Sequence, residues 1–202
     1  MIIRSTIQEN GDITLVGVST LEALWHDYLH FKRLALLEPS TEPAFQQKRY
    51  LRAALMLFVA HVSGVVDDWC RRQLTSSGVD GADQKGFFQA NRCMELKCSY
   101  LSKQANLAGI GGPDFEFKGL RNRIAHVQQG EDLELFDALT PELLENAERD
   151  VLEWLDLIGS TLGYERIANV KERTEQFAED LRSAGIAVKT AVDEPSLRQK
   201  GQ

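Results

Sequence analysis

The chain has 202 residues, enough for one well-buried core with a small appendage and too few for two ordinary domains. A composition of 43% hydrophobic and 26% charged residues with 5 Pro is that of a folded globule and excludes a disordered chain. A formal net charge of −7 excludes tight binding of nucleic acid through the phosphate backbone alone, which needs clustered Lys and Arg, so any such contact is local.

The 3 Cys are an odd number, and Cys93 and Cys98 fall in one predicted helix where neither would usefully staple a fold. Reduced thiols in a cytoplasmic protein are expected. The first twenty residues carry Arg4, Glu9 and Asp12 without an apolar run and a small-residue cleavage site, so no secretory signal is expected. The most apolar window, Ala53 to Val66, contains His61 and falls short of the roughly 20 residues of a membrane span. It predicts a buried core helix and no membrane partner.

In chain order, residues 1–18 predict a small β-hairpin, because β-favouring residues including Ile2, Ile3, Ile7, Ile13 and Val16 flank the turn dipeptide Asn10-Gly11. Ser19-Thr20-Leu21-Glu22 fits a capping box that opens a first helix ending near Glu38-Pro39. A second helix is expected from about Pro43 to Leu74, with Leu51, Leu55, Phe58, Val62, Val66 and Trp69 forming an apolar stripe. After Ser76-Ser77-Gly78, a third helix from about Asp83 to Asn106 leads into the loop Ala108 to Pro113, and a short fourth helix covers Phe115 to Gln128.

Thr140-Pro141 caps and opens a fifth helix with Leu144, Ala147, Val151, Leu155, Ile158 and Leu162 on one stripe, ended by Gly163. A last helix, Glu165 to Ala184, precedes a polar tail that offers little to bury and is expected to be loose. The predicted fold is therefore all-α, an antiparallel bundle of five to six helices. Its parts are a β-hairpin appendage (1–18), the helical bundle (19–163), and a C-terminal helix with its tail (164–202).

The stretch Lys118-Gly119-Leu120-Arg121-Asn122-Arg123-Ile124-Ala125-His126 carries the chemistry. At about 100° per residue, Phe117, Leu120, Ile124 and Val127 share the side that must be buried, which leaves Arg121, Asn122 and His126 on the opposite face. Asn122 and His126 are four apart, and Arg121 reaches across the small Ala125 toward the imidazole. A planar cation beside a proton carrier of near-neutral pKa suits metal-free cleavage of a phosphodiester. The imidazole would take the proton of a ribose 2′-hydroxyl and the guanidinium would hold the phosphate oxygens. Asn122 can orient the imidazole or donate to the phosphate, and Lys118 and Arg123 extend the local basic cluster for RNA.

Arg121 followed by a polar residue, then further residues to His126, on a helix of a small bundle, resembles the hallmark of the HEPN superfamily. The helical region from about Ser19 to Gly163 has the right size. The resemblance implies a homodimer whose two motif helices face each other across a composite site and, in many members, metal-independent endoribonuclease activity in toxins or phage defence. No metal or other cofactor is implied.

It also implies a polar or acidic residue on an earlier long helix, for which Ser63, Asp67 and Asp68 are the candidates, with a solvated helix face as the alternative. An antitoxin or other regulatory protein is a further possible partner. Gln128 stands where toxins controlled by a nucleotidyltransferase antitoxin carry the modified Tyr, which puts that form of control in doubt. The alternative function is a non-catalytic module using the same face for dimerisation or to bind a protein or nucleotide. The acidic charge favours that alternative, and the intact Arg–His pair favours the enzyme.

Elsewhere, His26 and His30 are four apart but lack a third ligand placed by the sequence, so surface histidines are expected. Gly109-Ile110-Gly111-Gly112 is followed by no Gly-Lys-Ser/Thr and reads as a connection. Trp25, Trp69 and Trp154 read as core residues rather than platforms for bases.

Overall fold

The computed structural model describes residues 2–7, 13–37, 44–107, 109–110, 112–113, 119, 138–166, 170–183 and 185–192. The chain is mostly helical. Among the described residues there are six helices: α1 (Thr20–Leu37), α2 (Ala44–Ser76), α3 (Gly81–Ala90), α4 (Met94–Gln104), α5 (Pro141–Leu162) and α6 (Val170–Ser183). The described strands are β1 (Ile2–Ile7), β2 (Ile13–Val18) and β3 (Val188–Val192). By compactness the chain divides into two units, Leu24–Arg166 and the two termini together, Met1–Ala23 with Ile167–Gln202.

The first unit is built on α2. Its stripe of Leu51, Leu55, Phe58, Val62, Val66 and Trp69 is buried, each at 1% exposure or less. This is the core-facing row that steps of three and four produce on a helix. α4 contributes Met94, Cys98 and Leu101 to the core, and α5 contributes Leu144, Val151, Leu155 and Ile158. α2 packs against both, and they pack against each other. α1 joins through Tyr28, whose ring lies 5.1 Å from that of Phe58.

By length and composition, Gln46–Ser76 is apolar enough to cross a membrane, contrary to the shorter window read from the sequence. However, 56% of its most apolar window is buried inside the protein, as in a core helix of a globule.

The ends of α5 follow from local chemistry. Thr140 is the N-cap, its hydroxyl accepting from the Leu143 amide at 3.2 Å, and Pro141 begins the first turn, where no amide is needed. Gly163 closes the helix at φ 71°, a left-handed conformation that glycine adopts without strain.

The third predicted helix requires correction. Asp83 to Asn106 is not continuous but breaks into α3 and α4 at Asn91-Arg92-Cys93. Asn91 leaves the helical region (φ −107°, ψ 62°), and both its backbone amide and its side-chain amide donate to the Phe87 carbonyl. A side chain that bonds its own backbone competes with helix continuation. Cys93 is consequently the exposed N-cap of α4 and Cys98 a buried residue within it, so the two do not share one helix.

In the second unit, β1 and β2 pair antiparallel, with Ile2 opposite Val18 and Ile7 opposite Ile13. The Asn10-Gly11 turn lies outside the described residues. β3 runs parallel to β2, with Ile13 opposite Val188. This strand occupies part of the tail expected to be loose. Val188 and Ala178 of α6 form a small buried cluster on which Ile13 and Leu181 pack, so the tail does have something to bury. Ser19, N-terminal to α1, accepts from the Glu22 amide at 3.3 Å, the capping half of the expected box.

Candidate functional site

The motif residues Arg121, Asn122 and His126 lie outside the described residues, as do Lys118 and Arg123. Of the fourth predicted helix only Gly119 is described, and it is helical. The candidates that the structure places are Ser63, Asp67 and Asp68, all half-buried in the C-terminal half of α2.

That part of α2 continues without Pro and buries Val62, Val65, Val66 and Trp69, so its opposite side is left to polar groups. Ser63, Asp67 and Arg71 follow one another at steps of four and share one face. Asp68 and Arg72 form a second row, joined by an ion pair of 2.7 Å.

Asp67 is not a free carboxylate. The Lys97 ammonium of α4 donates to its Oδ1 at 2.7 Å, and the lysine side chain is only 13% exposed. Lys97 also lies 5.4 Å from the centre of the Phe88 ring of α3, and the guanidinium of Arg71 sits over the same ring at 4.4 Å. Phe88 is thus flanked by two cations, a stabilising arrangement because the ring face carries negative potential. Both acidic candidates are therefore paired with cations of this chain, on a face where their side chains remain 38% and 39% exposed. Their carboxylates anchor α2 to α4 and to its own next turn.

Cys70 lies beside this row. Its thiol is buried, with the Lys97 carbonyl 3.9 Å from Sγ, and burial, reinforced by Asp67, pushes its pKa up to about 12. Such a thiol stays protonated and is a poor nucleophile or metal ligand. Burial also raises the Tyr100 phenol, with smaller contributions from Cys70 and Tyr164.

Two further groupings come together in the structure, and the first was not found from the sequence. Lys32 of α1 is ion-paired with Glu148 of α5, both side chains being less than one fifth exposed. The Tyr28 phenol faces the same carboxylate, and burial, then Glu148, raise its pKa. No sequence signal joins residues 116 positions apart.

The other grouping is aromatic. The Trp25 ring lies 5.1 Å from those of both Tyr28 and the fully buried His61, tilted by 43° and 42°, and Arg166 covers it at 4.7 Å. His61 stands three positions after Phe58 and one before Val62, so its place on the buried stripe was visible in the spacing.

His26 and His30 are exposed on α1. Among the described residues no three His, Cys, Asp or Glu side chains come together as a metal-ligand set. No family model, curated protein or solved structure matches the chain.

Proposed function

We propose that the chain is a metal-independent endoribonuclease of the HEPN kind, acting as a homodimer. The observation that carries this reading is the sequence Arg121-Asn122-Arg123-Ile124-Ala125-His126 within a mostly helical chain. On this reading His126 takes the proton of the ribose 2′-hydroxyl, which attacks the adjacent phosphorus and expels the 5′-oxygen. The second copy's imidazole returns a proton to the leaving group. Arg121 holds the charge that grows on the phosphate oxygens, and two facing copies provide base, acid and charge stabilisation together.

Lys118 and Arg123 supply local contacts to RNA, consistent with a net charge of −7 that offers no extended basic surface. Ser63, Asp67 and Asp68 are assigned the supporting polar role on α2. Because Asp67 and Asp68 are paired with Lys97 and Arg72, that role is positional rather than acid–base. A toxin or phage-defence effector held in check by a regulatory protein, acting in the cytoplasm, is the setting this activity suggests.

The test is incubation of purified protein with mixed RNA in the presence of a chelator. Products ending in 2′,3′-cyclic phosphate and 5′-hydroxyl are expected, and light scattering should report twice the chain mass.

A second reading, a non-catalytic module that uses the motif face to dimerise or to bind a protein or nucleotide, is favoured by the acidic charge. Dimer formation without cleavage of any RNA would select it.

A further inference from the structure

α3 differs from the helices around it. Its ten residues include none that is buried, whereas the eleven of α4 bury Met94, Cys98, Leu101 and Ser102. What holds α3 is peripheral. Gln84 donates to the Thr75 hydroxyl at 3.1 Å and to the Val79 carbonyl at 3.0 Å, which pins its first turn to the end of α2. Near the other end, Phe87 packs on Tyr100 of α4 at 4.8 Å, and Phe88 lies against Arg71 and Lys97.

Both connections suit the boundaries of a unit that unfolds on its own. Gly78, before α3, has φ +76°, and Asn91 to Cys93, after it, are non-helical. Gly86 sits mid-helix with nothing within 4 Å of the place a Cβ would take, so it weakens the helix without serving any close packing.

We propose that α3 is a cap that opens by local unfolding, as one unit bounded by Gly78 and Asn91–Cys93, while α2 and α4 stay packed, uncovering Tyr100 and Lys97 on the face that carries Asp67 and releasing the already exposed Arg71 from the Phe88 ring. Local opening occurs where few apolar side chains are buried, and α3 meets that condition while its neighbours do not. Opening withdraws Phe88 from both cations at once. The face of α2 and α4 then changes from one in which the Lys97 side chain is only 13% exposed to one in which Lys97 and the already exposed Arg71 both stand clear of the ring beside Asp67, so an anion that binds them shifts the equilibrium toward the open state. The proposal is independent of the chemistry assigned to Arg121 and His126.

Hydrogen exchange of the full chain, read by mass spectrometry at peptide level, tests it. In the wild type, amides of 84–90 should exchange at least roughly tenfold faster than those of α4 and of 55–70. Phe88→Ala should speed exchange in α3 about fivefold further and leave α4 unchanged. Gly86→Ala should slow α3 about fivefold, because alanine favours the helix and meets no neighbour. Equal protection of α3 and α4 in the wild type would overturn the proposal. So would Phe88→Ala speeding both helices alike, or Gly86→Ala leaving α3 unaffected.

Discussion

Gly159→Ala should destabilise the protein even though alanine is the better helix former. Gly159 lies in α5, where a Cβ would meet the Tyr164 carbonyl oxygen at 2.7 Å and Cη2 and Cζ2 of Trp69 at 2.9 and 3.3 Å. Neither neighbour yields easily. The carbonyl belongs to the turn in which the Tyr164 amide donates to the Gly159 carbonyl at 2.8 Å. Trp69 is 1% exposed, and its indole N–H donates to the Glu165 carbonyl at 3.4 Å.

Intrinsic helix preference favours the substitution by about 1 kcal/mol. Forcing a methyl into a packed site costs about 1–3 kcal/mol, and loosening a hydrogen bond of the turn costs about 1 kcal/mol more. The net expectation is a loss of about 2 kcal/mol, or a fall in Tm of roughly 4–8 °C for a chain of this size. Thermal and urea unfolding followed by tryptophan fluorescence would measure it, with Gly86→Ala as the control that adds a methyl into open space. An unchanged or raised Tm for Gly159→Ala would refute the close packing of the α5 terminus on Trp69.

Alkaline pH should destabilise the fold through Cys70. Its folded pKa of about 12 lies above the unfolded value, so the stabilisation is complete below the ordinary thiol pKa of about 8.5. It declines above that value by roughly 1.4 kcal/mol per pH unit until the folded pKa is reached. Tyr28, also raised, adds to the decline above its own ordinary pKa of about 10. Urea titrations should therefore show a shallower pH slope for Cys70→Ala near pH 9.5. Lys32→Met leaves Glu148, whose side chain is 14% exposed, without its cation and with only the Tyr28 phenol facing it, and should cost about 2 kcal/mol in urea unfolding, below the range for a fully buried pair. Thr140→Ala removes the cap of α5 and should cost about 1 kcal/mol by the same measurement.

What the sequence made legible was local. The stripes of α2 and α5, the Thr140-Pro141 start and the Gly163 stop all follow from spacings within a few turns. The structure buries the α2 stripe and Leu144, Val151, Leu155 and Ile158 of the α5 stripe, leaves Ala147 and Leu162 half-buried, and caps α5 at both ends. The break between α3 and α4 was missed because Asn91 interrupts an otherwise helix-compatible run, and its side-chain bond to Phe87 has no signature in periodicity. β3 carried a signal that was passed over. Val188, Thr190 and Val192 alternate as strand residues do, but five residues beside a polar terminus were outweighed by the tail's composition.

At the candidate site, the polar face of α2 was legible, whereas Lys97 as the partner of Asp67 was not. The two meet only because α4 packs on α2, which places residues 30 apart in contact. The Arg121–His126 constellation was read wholly from its own spacing. It lies outside the described residues, so its geometry rests on the helical period alone.

The central claim is that Arg121 and His126 carry RNA cleavage, and its most direct measurement compares the cleavage rates of wild type, His126→Ala and Arg121→Lys on mixed RNA in chelator. Wild type should produce cyclic-phosphate ends. His126→Ala should be slower by roughly 10²- to 10⁴-fold, the usual contribution of general acid–base catalysis. Arg121→Lys should recover little activity, since an ammonium cannot make the two-pronged contact. Equal cleavage by wild type and His126→Ala, or none by wild type on any RNA while the dimer forms, would contradict the account.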